Sequence, residues 1–218
     1  NGIPDFGTDA LRFNFAIQAS TGRDIRLDLN RVEGYRNFCN KIWNASRFIR
    51  MNTNDFELLD TNVSKGHPID QWIQSRFRQT IEEVERQYEQ YRFDLAATAM
   101  YEFVWNDFCD WYIELSKTLI NDPDISESEK DYTKNNLILM LDSILRMLHP
   151  TIPFITEEIW QSMNEENAKR SIMKSSFPSS NNWSADEAGA RKSEWLKNFV
   201  SSVRQIRSEM NIPPKESI

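Results

Sequence analysis

The sequence predicts an all-α protein, an antiparallel helical bundle with a small appendage at each end. Three observations carry that expectation. Apolar residues recur at steps of three and four along nearly every patterned segment, no alternating stretch of useful strand length is present, and six glycines in 218 residues are too few for a glycine-rich phosphate-binding α/β architecture. A content of 39% hydrophobic and 12% aromatic residues is ample for a packed core. No apolar run approaches the roughly 18 residues that a membrane span requires. The chain opens with neither a Met nor a charged-then-apolar leader, and both ends read as cuts through a longer polypeptide.

A first helix is expected over residues 8–20, after Gly7 and with Thr8 or Asp9 as cap, followed by the polar connector TGRDIRLD at 21–28. A second runs from about Asn30 to Met51, and a Gly/Pro-punctuated link leads to Pro68. Asp70, a favourable N-cap residue, should open a third helix that buries Ile73, Phe77, Ile81, Val84, Tyr88 and Tyr91. The fourth, from Asp94 to Ile120, carries Tyr101, Phe103, Trp105, Phe108, Trp111 and Tyr112, which leaves little polar surface and places it at the centre of a bundle. Ser126 and Glu129 form a capping box for a fifth helix that ends near Leu148, because Pro150 disfavours helical geometry at His149. After HPTIPF comes a short helix through Trp160, then an irregular polar stretch from 165 to 183 with room for a small strand near Ile172. Ser184 and Glu187 offer a second capping box before a final helix whose Trp195, Leu196, Phe199, Val203, Ile206 and Met210 fall at core spacing. Cys39 and Cys109, with only His67 and His149 for company, match no metal-ligand spacing and read as small core residues in a reducing compartment.

The second helix reverses the charge of the chain. At about 100° per residue, Tyr35, Phe38, Cys39, Ile42, Ala45 and Ile49 share one arc, while Arg36, Asn37, Asn40, Asn44, Arg47 and Asn52 populate the other. From Arg23 to Arg50 seven cations face three anions, a local +4 in a chain of net charge −7, so the remainder carries −11. A basic stripe on an acidic protein holds a polyanion in one place while the rest repels it; arginine stems covering their own core are the plain structural alternative. The residues with the chemistry to read RNA edges and clamp phosphates are Arg36, Asn40, Asn44 and Arg47, followed by Lys41 and Phe48. Structural alternatives stand beside them: Asn44 bonding within the bundle, and Arg47 pairing with Asp107 or Asp110. By spacing, Trp43, Trp105 and Trp111 read as core rather than as stacking surfaces.

GTDALRF (7–13), TGRDI (21–25), GYRNFCNKIWNASRF (34–48), YEFVWNDFCDWYIELSK (101–117), HPTIPFITEEIW (149–160) and VRQIRSEMNIPP (203–214) together resemble the valyl-tRNA synthetase family of class I aminoacyl-tRNA synthetases, downstream of the catalytic domain. The HPxxPFxTExxW string alone resembles the wider subgroup that includes the isoleucine and leucine enzymes, whereas the 34–48 block and RSEMNIPP are valine-type. The resemblance implies three parts: residues 1–30 as the end of the catalytic domain with a stem-contact segment carrying Arg12 and Arg23, 31–165 as the anticodon-binding bundle, and 166–218 as an irregular linker and C-terminal helix. It implies tRNA(Val) as partner, together with catalytic and editing domains of the same polypeptide, a cytoplasmic location, and no membrane or DNA. The parent would ligate valine to tRNA(Val) using ATP with Mg2+. Neither HIGH nor KMSKS occurs in this chain, so the segment is expected to be catalytically inactive and to hold no cofactor. Apolar surface around Phe6, Leu11 and Phe13 is expected to be exposed where the catalytic domain would cover it. The competing readings are the corresponding part of an isoleucyl- or leucyl-tRNA synthetase, and a helical protein-interaction module.

Overall fold

The computed structural model describes residues 5–20, 24, 26–53, 56, 58, 66–163, 170–185 and 187–213. Eight α-helices follow one another among them: α1 (Thr8–Gln18), α2 (Leu29–Thr53), α3 (Pro68–Glu89), α4 (Phe93–Glu102), α5 (Ile113–Asn121), α6 (Glu127–Leu148), α7 (Pro153–Met163) and α8 (Glu187–Glu209). A π-helical stretch, Phe103–Tyr112, joins α4 to α5 as one continuous rod. No strand occurs among the described residues; short 3-10 turns at Ile172–Lys174 and Ser180–Asn182 fill the stretch before α8. The small strand expected near Ile172 is therefore replaced by a turn, which buries Ile172 and is capped by the Ser171 hydroxyl accepting from Met173 N–H at 3.2 Å.

Gly7 has φ 85, a left-handed value that glycine adopts without a Cβ clash, and α1 begins directly after it. Phe13 is fully buried, its ring centroid 5.2 Å from Tyr35 and 5.0 Å from Phe38 of α2. The expectation of an exposed Phe13 fails because α1 packs onto α2, α4 and α7, while Leu11 on its outer side stays exposed. Asp9 is buried at the start of α7, where its carboxylate accepts from the N–H groups of Phe154 (3.3 Å) and Ile155 (2.7 Å). It satisfies two donors that the helix cannot pair internally.

His67 caps α3, accepting at Nδ1 from Ile69 N–H at 3.3 Å. Asp70, expected as that cap, sits instead in the first turn with no solvent exposure. Its carboxylate accepts from Tyr112 Oη at 2.6 Å and Thr133 Oγ1 at 2.9 Å, and Asn136 donates to Tyr112 Oη at 2.6 Å. This buried network joins α3, the π-helical stretch and α6. Ile73, Phe77, Ile81 and Val84 are fully buried, with Phe77 against Phe103 (5.0 Å) and Trp183 (4.8 Å). Tyr91, placed in the core by its spacing, lies beyond the end of α3 in a left-handed conformation (φ 56) and is 77% exposed.

The capping box of Ser126 and Glu129 forms with both of its hydrogen bonds. Helix α6 ends at Leu148 as expected, although His149 keeps helical dihedrals (φ −53, ψ −39) despite preceding Pro150. Cys39 and Cys109 are buried free thiols, and burial pushes the pKa of each up to about 12.

Nothing in the spacing of the residues announces the π-helical stretch. Its i→i+5 turns shift side chains out of the 3.6-residue register. Asp107 within it is 4% exposed, and it accepts two hydrogen bonds from Arg76 at 3.1 Å and one from Lys197 of α8 at 2.7 Å.

Helix α8 packs chiefly on α3, with much of its expected apolar stripe left outside and Val203 half-buried. Trp195, Phe199, Ile206 and Met210 are all more than half exposed, against the core placement their spacing suggests. The inward position belongs to Lys197, whose Nζ reaches Asp107 and lies 5.7 Å from the Trp72 ring centre. Periodicity states which residues share a face and leaves open which neighbour covers it. The capping box expected of Ser184 and Glu187 depends on residue 186 and the Glu187 side chain, which lie outside the described residues. The side chain of Leu196 and residue Pro214 lie outside the described residues, as do 21–23 and 25. No helix among the described residues is long and apolar enough to cross a membrane.

Candidate nucleic-acid interface

Helix α2 owes its position to its inner face, on which Phe38, Ile42, Ala45 and Ile49 are buried. The opposite face is thereby held out to solvent. Arg36, Asn40, Asn44 and Arg47 are all exposed, and none makes a side-chain hydrogen bond or ion pair among the described residues. The acids that competed for Arg47 are already engaged: Asp107 by Arg76 and Lys197, and Asp110 by Lys41. Asn44 likewise bonds to nothing within the bundle among those residues.

The other two candidates on α2 differ. Lys41 is ion-paired with Asp110, and its ammonium lies 3.7 Å over the centre of the Trp105 ring. Phe48 is half-buried, with the Lys117 ammonium 5.2 Å from its ring centre. Both sit on the flank of α2 that faces the π-helical rod rather than in the unpaired row. Arg36 and Asn40 also line a cleft of about 500 Å³, shared with the start of α1 and with Phe154 and Glu158 of α7.

Arg23 lies outside the described residues. Arg12, expected to touch a nucleic-acid stem, directs its guanidinium at the turn after α6, donating to the carbonyls of Pro150 and Thr151 at 3.2 Å each. With Asp9 it fastens α1 to the HPTIPF turn. Arg12→Ala is expected to lower stability by about 1 kcal/mol, since charged donors on carbonyls contribute modestly when exposed, and to leave RNA affinity unchanged. Urea unfolding beside an RNA titration tests both halves; a large loss of affinity with unchanged stability would favour the stem-contact role.

Trp43, read as core because large aromatics in helices usually are, is a further residue of this face. It is instead 38% exposed and falls in one helical row with Arg36, Asn40 and Arg47. A signal for that placement is present in the sequence, because position 43 stands three residues from Asn40 and four from Arg47, the separations that make helix neighbours.

The arrangement is a helical bundle with an unpaired amide and guanidinium face. Its fold is similar to that in the crystal structure of the ternary complex of Agrobacterium radiobacter K84 agnB2 LeuRS with tRNA and LeuAMS, with a TM-score of 0.56 over 85% of this chain and 20% of that one at 16% identity. Residues 70–218 match the anticodon-binding domain of tRNA ligase, and the chain belongs to that family. Over its full length it is 47% identical to a valine–tRNA ligase of Legionella pneumophila (strain Paris) and 44% identical to that of Coxiella burnetii, and it spans 24% of the length of each. Helix α2 precedes the family match and lies within the alignment to these relatives.

Proposed function

We propose that this chain is the tRNA-reading part of a valine–tRNA ligase and that the outer face of α2 receives the anticodon loop of tRNA(Val). The observation that carries the reading is the face itself: Arg36, Asn40, Asn44 and Arg47, exposed and unpaired among the described residues of an acidic chain. RNA readers target unpaired loops whose bases are splayed out, bonded at their edges and stacked on planar groups. Asn40 and Asn44, one turn apart, each offer a donor and an acceptor to a base edge. Arg36 and Arg47 supply phosphate clamps. Full-length similarity to valine–tRNA ligases favours valine tRNA over the isoleucine and leucine acceptors.

In this reading residues 31–165 form the reading bundle, 1–30 lead into it from the catalytic part, and 166–218 complete it. Ligation of valine with ATP and Mg2+ belongs to polypeptide beyond this chain. Binding energy gained at the anticodon supports chemistry at the distant acceptor end.

The test is binding of tRNA(Val), and of the same tRNA with an altered anticodon, at several salt concentrations. Arg36→Ala and Arg47→Ala are each expected to weaken binding and to reduce the salt slope by roughly 0.7 for every phosphate of a single-stranded loop left without its cation. Asn44→Ala is expected to narrow the difference between the two tRNAs. Affinity and discrimination unchanged in all three variants would remove α2 from the interface.

A further inference from the structure

We propose that Trp43 is the stacking platform for one unpaired base of the bound RNA loop, an inference that rests on the reading of α2 above. Arg36, Asn40, Trp43 and Arg47 follow one another at steps of four, three and four, forming a single row about 16 Å long on one face of α2. Trp43 is the aromatic of that row, and 38% of it is exposed.

Among the tryptophans that are not buried, Trp43 differs in having no ring or cation set against it. Trp105 lies under the Lys41 ammonium, Trp111 under the Arg204 guanidinium, and Phe48 beside Lys117. Trp195 of α8 is stacked on Phe199, 5.6 Å away and within 12° of parallel. Among the described residues Trp43 has neither an aromatic nor a cationic neighbour over its ring. A large ring, 38% exposed and in one helical row with two unpaired guanidinium groups and an unpaired amide, has the make-up of a single-stranded nucleic-acid site: a π-system for a base, flanked by cations for the backbone. Every base has such a face, so Trp43 supplies affinity with little discrimination, while Asn40 and Asn44 on either side read edges. The division of labour distinguishes Trp43 from its neighbours by experiment.

Anticodon stem-loop RNA carrying 2-aminopurine at one loop position at a time is titrated into this chain. One position is expected to lose fluorescence on binding, through stacking on Trp43. Trp43→Ala is expected to abolish that loss and to weaken binding roughly 5- to 100-fold, the range seen when a base-stacking ring is truncated. Its salt slope should match that of the unsubstituted chain, because every cation that meets a phosphate is still in place. Trp43→Phe keeps a ring and should retain most of both signals, which also answers the objection that the alanine variant is misfolded. If no loop position loses fluorescence, or if Trp43→Ala binds with full affinity while Arg36→Ala does not, the stacking role is overturned and the α2 reading survives. If Trp43→Ala, Arg36→Ala and Arg47→Ala all bind as the unsubstituted chain does, the α2 reading falls and this inference falls with it.

Discussion

Asp70→Ala is expected to lower the stability of the chain by about 3 kcal/mol or more, the scale of loss when buried hydroxyls are left without an acceptor inside a packed network. Tyr112 Oη and Thr133 Oγ1 both donate to Asp70, and both lie in fully enclosed surroundings where three helical segments meet. Deleting the carboxylate orphans them together and opens a cavity at the same point. Burial also holds the Asp70 carboxyl above its ordinary value, partly opposed by the hydrogen bonds from Tyr112 and Thr133. The native state therefore keeps a proton that the unfolded chain has released, so stability falls as pH rises from the ordinary carboxylate value through the raised one. Asp70→Asn, which cannot ionise, should lose that slope while costing less than alanine. Urea midpoints measured across this window decide the matter: a midpoint for Asp70→Ala equal to that of the parent would mean that the network carries no stability.

Phe13→Ala is expected to cost about 3–5 kcal/mol, the usual range for truncating a fully buried phenylalanine. The ring is 0% exposed and touches the rings of Tyr35, Phe38 and Tyr101. Through Phe38 it supports the inner side of the helix whose outer side carries Arg36, Asn40 and Arg47. Phe13 thus ties α1 into the core of the bundle. A loss below about 1 kcal/mol on thermal or urea unfolding would show that α1 rests on the bundle without filling it.

The fold class, the span of each main helix and the capping box at Ser126 were legible in the residues, because each depends on interactions within a few positions of the chain. So was the division of α2 into a buried face and a polar one, with both cysteines on the buried side of their helices. The candidate site was legible in part. Arg36, Asn40, Asn44 and Arg47 stand exposed and unpaired among the described residues, whereas Lys41 is held by Asp110 and Arg12 by two carbonyls. Neither Asp110 nor the Pro150–Thr151 turn is near its partner in sequence, so no local pattern announces the pairing.

The same reason covers the remaining differences. Asp70 has the chemistry of a cap, and becomes the hub of a buried network only because Tyr112 and Thr133 arrive from other segments. The stripe of Trp195, Phe199, Ile206 and Met210 has helical spacing yet lies outside, while Lys197 on the inward side reaches Asp107 of the π-helical stretch, ninety positions away in the chain. The sequence alone specified helices and their faces, since backbone geometry places residues three and four apart side by side. Which faces meet, and which charges are left over for a ligand, was decided by packing between segments far apart in the chain, where shape and charge are matched only once the helices are assembled.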